Sequence, residues 1–102
     1  MRVGKVRRLE DRPLSPRRAM ERIRTLWKGG LVEVLPHAQT RMRQRRIAML
    51  DIEHVIRQGH VVENSKPGQL WRYKVAGTSV DGERLACVVE IDGNLIIVTV
   101  LD

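Results

Sequence analysis

"RLACVVEIDGNLIIVTVLD", residues 84–102, is the stretch from which the fold class is read. Two runs rich in β-branched residues, "RLACVVEID" and "NLIIVTVLD", are separated by Asp92-Gly93-Asn94, a strong turn signal, and the pattern predicts two strands joined by a tight turn. Working backwards, "HVVENS" and "LWRYKVAG" show the same period of two after Gly59, with Pro67-Gly68 and Asp81-Gly82 as turn signals between runs. Short loops between successive strands favour an antiparallel meander of roughly four strands.

Upstream of Gly59 the period becomes helical. In "SPRRAMERIRTLWKGG", Ser15 suits the cap, Pro16 the first helical position, and Gly29-Gly30 the stop. Ala19, Met20, Ile23, Leu26 and Trp27 fall on one stripe, which makes the helix amphipathic. "DIEHVIRQG" predicts a short second helix with Asp51 at the cap, Ile52, Val55 and Ile56 on its apolar side, and Gly59 past its end. "LVEVL" (31–35) is too short to separate a strand from an extended connection. Helices first and strands second indicate an α+β domain, residues 15–102, with its helices on one face of the sheet. Residues 1–14, "MRVGKVRRLEDRPL", read as a basic N-terminal arm.

A chain of 102 residues has room for one domain, and 42% apolar residues are enough for it to fold. Trp27, Trp71 and Tyr73 are the three aromatic residues, so the core is built from Val, Ile, Leu and Met. Three rings cannot make the stacking wall of a single-strand binder. The net charge of +7 is uneven: residues 1–30 carry ten Lys/Arg against three acids, 31–50 four against one, and 51–102 five against eight. This asymmetry points to a polyanionic partner, nucleic acid or an acidic protein, and away from a membrane. Cys87 stands alone in a Val-rich run and reads as a small buried residue. "LIIVTVL" is too short to span a bilayer and the N-terminus lacks a signal peptide's apolar centre, so a cytoplasmic protein is expected.

Between the two predicted helices lies "PHAQTRMRQRR", residues 36–46. At ~100° per residue, His37, Arg41, Gln44 and Arg45 gather on one side of a helix. Ala38 and Met42 beside them anchor it, and Arg43 and Arg46 point elsewhere. The positive end of the helix dipole and Arg41 one turn away both disfavour a charged His37, which suits a general base. Two arginines one turn apart can hold a phosphate. The plainer reading of the same stripe is a solvated helix face.

The fragments "HAQTRM", "DIEHVIRQGHVVE", "RYKVAG", "VVEID" and "IIVTVLD" together resemble a widespread bacterial domain family of unknown function, over roughly residues 31–102. That family looks like a member of the RelE and MqsR group of toxins, whose fold belongs with barnase-like ribonucleases. The resemblance implies the toxin of a type II toxin-antitoxin system. It would be a metal-independent endoribonuclease cleaving mRNA, restrained by a cognate antitoxin of the YgiT zinc-ribbon type. Two positions depart from the pattern: Cys87 stands where relatives often have His, and Leu101 where a final Tyr is common.

Metal-free RNA cleavage needs a base for the ribose 2′-OH, cations around the phosphorane and an acid for the leaving oxygen. His37 is the candidate base, with Glu63 second. Arg41 is grouped with them, and Arg45 and Gln44 complete the phosphate contacts. In "LWRYKVAG" alternation places Trp71, Tyr73 and Val75 on one face and Arg72 and Lys74 on the other, where they would lie beside the RNA. Tyr73 offers a hydroxyl or a stacking ring, or else belongs to the core. Glu90 is placed to pair with Arg72 or Lys74 across strands, and His54 and His60 read as surface residues. No His/Cys/Asp spacing suggests zinc and no Gly-rich loop suggests a nucleotide, so no metal or cofactor is expected. The alternatives to the nuclease are a non-catalytic nucleic-acid-binding module and a domain that docks an acidic protein.

Overall fold

A computed structural model describes residues 12–102. Its elements are α1 (Pro16–Lys28), β1 (Val32–Val34), α2 (Pro36–Arg45), α3 (Met49–Gln58), β2 (His60–Ser65), β3 (Arg72–Thr78), β4 (Arg84–Asp92) and β5 (Asn94–Leu101). The fold is α+β, with one five-stranded sheet in the order β1-β5-β4-β3-β2. Strands β2 to β5 pair antiparallel with their chain neighbours. The four-stranded expectation is corrected by β1, which pairs in parallel with β5, Val32 opposite Leu95 and Val34 opposite Ile97. Three residues suffice because β5 presents an open row of backbone groups that β1 satisfies. A partner some sixty residues away leaves no local trace in "LVEVL".

The helices are held by specific ends. Ser15 Oγ accepts the Arg18 N–H at 3.3 Å, and α1 buries Ala19, Met20, Ile23 and Leu26. Helix α3 begins three residues earlier than its sequence suggests, so Asp51 lies inside the first turn rather than at the cap. Its carboxylate reaches back to the Ala48 N–H at 2.9 Å and across to the Val80 N–H at 3.1 Å. One side chain thus fixes the helix start and the β3–β4 turn together. At the other end Gly59 is required by space: a Cβ there would lie 2.3 Å from the Ala76 carbonyl oxygen and 2.5 Å from that of Val55. The Arg24 guanidinium donates to the Ile56 and Gly59 carbonyls at 2.9 and 3.0 Å, satisfying the end of α3.

Packing follows from the register. Tyr73 and Val75 of β3 lie opposite Val89 and Cys87 of β4, and these lie opposite Ile97 and Val100 of β5. All six are buried with Ile23, Ile52 and Ile56 of the helices. The other face carries cross-strand rows Arg72–Glu90–Ile96 and Lys74–Val88–Thr99, all half-buried. Residues 1–11 of the N-terminal arm lie outside the described residues. Leu14 belongs to the body, packing on the core and donating its N–H to the Tyr73 hydroxyl at 2.8 Å. Among the described residues no helix is long and apolar enough to cross a membrane.

Candidate functional site

Helix α2 is placed by β5. The Leu35 N–H, just before it, donates to the Ile97 carbonyl at 3.1 Å, and Arg45 at its end meets Asp102 at 2.8 Å. The helix therefore runs beside the second half of β5, continuing along the flank that β1 covers over the first half. Pro36 preorganises its first turn, no side chain caps it, and Ala38 is its one buried residue. Met42 packs beside Ala38 against the core. On one flank Gln39 donates to the Val34 carbonyl at 3.0 Å. Helical spacing sends His37, Arg41 and Gln44 to the other flank.

Arg41 is the unusual member. It is half-buried, its Nε is shielded from solvent, and that nitrogen has no hydrogen-bond partner among the described residues. A buried donor left unpaired costs about 1–3 kcal/mol. One turn back, His37 is exposed. A guanidinium one turn from an accessible imidazole puts a cation and a proton acceptor on one flank, although the Nε itself is closed to an external oxyanion.

The other candidates are dispersed. Gln44 is exposed on the same flank. Arg45 is half-exposed and paired with Asp102, an arrangement worth ~0–1 kcal/mol that partly neutralises its charge. Arg72 Nε holds Glu90 at 2.7 Å on the face opposite the helices, and Lys74 sits between Glu63 and Val88 in register. Glu63, the second candidate base, is corrected as a group beside the Arg41 and Arg45 phosphate contacts of α2. It lies on β2, the opposite edge of the sheet, three strand spacings or ~14 Å from β5. Tyr73 is corrected as a surface hydroxyl or stacking ring, being buried on the helix-covered face with its hydroxyl engaged by Leu14. Alternation gave its face correctly; the long-range hydrogen bond gave its role.

Cys87 is buried in the core, and burial pushes its thiol up to about 12, so the sulfur stays neutral and unreactive. A side chain at this position points into the packing between sheet and helices. His54 is corrected from a free surface residue: it is half-buried, and its Nδ1 donates to the Thr78 carbonyl at 2.7 Å. His60 is exposed.

Sequence reasoning passed over the second flank of α2. There Arg43 and Arg46 border a cavity of about 520 Å³ between β1, α2 and α3. Arg46 has φ 56, the left-handed conformation at a helix end that Gly or Asn usually takes. With Arg in that place the sequence carries no stop signal.

A family model described as "Domain of unknown function (DUF4258)" matches residues 34–102, and the chain belongs to that family. No curated protein and no solved structure matches it.

Proposed function

We propose that this DUF4258 domain is a toxin-type, metal-independent endoribonuclease acting on mRNA, with His37 and Arg41 at its centre. The observation that carries the proposal is the half-buried Arg41 with its unpartnered Nε one helical turn from an exposed imidazole. The likeness of "HAQTRM" and "IIVTVLD" to the RelE and MqsR toxins supports it, as does the excess of cations in the first half of the chain.

In this reading Arg41 binds a non-bridging phosphate oxygen and gains in strength as charge builds on the phosphorane. His37 takes the proton of the ribose 2′-OH, and the freed oxygen attacks phosphorus in line. The bond to the 5′ oxygen breaks, that oxygen takes a proton from water, and a 2′,3′-cyclic phosphate remains. Gln44, exposed on the same flank, extends the phosphate path. A toxin of this kind would be held in check by an antitoxin, for which the zinc-ribbon class is the proposed partner.

Purified protein with RNA in EDTA is expected to release fragments ending in 2′,3′-cyclic phosphate. His37→Ala and Arg41→Met should each slow this by ~10²-fold or more while leaving the protein folded. Intact RNA at high protein concentration, together with normal bacterial growth on expression, overturns the proposal.

One observation favours a second reading. Glu63 and Tyr73 lie away from His37, and Arg45 and Arg72 are already paired, which leaves few groups for acid catalysis. In that reading the same flank binds RNA without cutting it. Affinity then falls steeply with salt while the RNA stays whole.

A further inference from the structure

The far flank of α2 offers a different kind of surface. Val34, Met42, Ile47 and Met49 floor the 520 Å³ cavity, and Arg43 and Arg46 stand at its rim. Its size is that of a pocket for a small ligand or one large side chain. Among the described residues the lining holds no aromatic ring and no carboxylate. An aliphatic and thioether floor suits an apolar side chain, with the adaptability that methionine brings, whereas a nucleobase would be held by stacking on rings. The apolar surface continues outward, since Met49 is 43% and Leu50 67% exposed.

The rim is cationic. Arg43 touches the Thr40 hydroxyl at 3.4 Å, and neither it nor Arg46 is in an ion pair among the described residues. Arg46 is also the one non-glycine residue with positive φ among them. Glycine would occupy that conformation without strain. Arginine at this place carries a backbone cost that glycine would not, and sets a cation at the cavity rim.

We infer that this cavity docks an acidic segment of a partner protein, which inserts one apolar side chain between Met42 and Met49 and sets carboxylates against Arg43 and Arg46. The site is separate from the His37–Arg41 flank and does not depend on RNA cleavage.

Selection of short peptides from a random displayed library against the full chain tests this. Enriched peptides should carry a Leu, Ile or Phe flanked by Asp or Glu. Synthetic copies measured by fluorescence anisotropy should bind Met49→Gln, whose charge is unchanged, at least about tenfold more weakly. Arg46→Gly should weaken binding similarly while raising the melting temperature, and His37→Ala should leave it unaltered. Equal binding to Met49→Gln would mean general attraction to a cationic chain and overturns the proposal. Peptides without the acidic and apolar pattern overturn it too. So does displacement of the peptide by oligouridylate with equal losses in Arg41→Met, which would assign the surface to RNA.

Discussion

Helix α2 and the body formed by α1, α3 and the sheet are built on different terms. Helices α1 and α3 bury four and three residues, and each has a side chain bonded at its start. Helix α2 buries one residue and has no such cap. The body holds its polar groups at the surface or ties them down, as Arg24 on the end of α3, His54 on Thr78 and Asp51 on two backbone amides show. The α2 region instead keeps a shielded guanidinium nitrogen without a partner and an arginine in a left-handed conformation. Both features cost stability, and packing explains neither. The contrast teaches that the body supplies most of the folding free energy, while α2 is held with little burial and carries two locally costly features.

The largest expected effect lies in the body. Ile52 is fully buried, and Ile52→Ala should cost about 2–5 kcal/mol in denaturant unfolding. The half-buried Met42 of α2 should lose less on the same truncation. Equal losses would break the contrast.

Next is the crossing of α3 over β3. With carbonyl oxygens 2.3 and 2.5 Å from where a methyl group would go, Gly59→Ala should destabilise by about 1–3 kcal/mol, with a lower unfolding midpoint. An unchanged midpoint would show that the helix end can move away from the strand.

Cys87 gives a pH test of the same packing. The unfolded thiol ionises near its ordinary value of 9.0, the folded one near 12. The contribution is therefore complete below pH 9 and is lost as pH rises towards 12, at ~1.4 kcal/mol per pH unit. Cys87→Ser should flatten that alkaline slope, and Cys87 should resist thiol reagents until the protein unfolds.

The smallest effect on stability is expected at Arg41, and it sharpens the comparison most. Arg41→Met keeps the stem and removes the unpartnered donor. Thermal unfolding should show no loss, or a gain of up to ~1 kcal/mol, while RNA cleavage or binding falls. A clear destabilisation would make Arg41 a structural residue and return α2 to the same terms as the body.

Legibility followed the range of the interactions. The meander was readable because alternation and turn residues act within a few positions, and "RLACVVEID" and "NLIIVTVLD" carry both. The start of α3 is not legible because Asp51 caps from within the first turn, and a carboxylate three residues past the cap looks the same in sequence as one at it. Tyr73 could be given a face but not a role, since the role depends on Leu14, 59 residues away. Glu63 looked available beside the basic helix until strand order put it at the far edge. The cavity rim went unnoticed because an arginine ending a helix left-handed has no sequence mark.

The sequence by itself determined the α+β class, the strand meander, two amphipathic helices and a third helix dense in arginine, because hydrophobic period, turn chemistry and charge are local properties of the chain. Tertiary structure decided that β1 joins β5, that α2 lies along the remaining half of that strand, and which arginines stay unpaired. Those outcomes depend on which distant backbone and carboxylate groups arrive beside them, and that is set when the sheet closes.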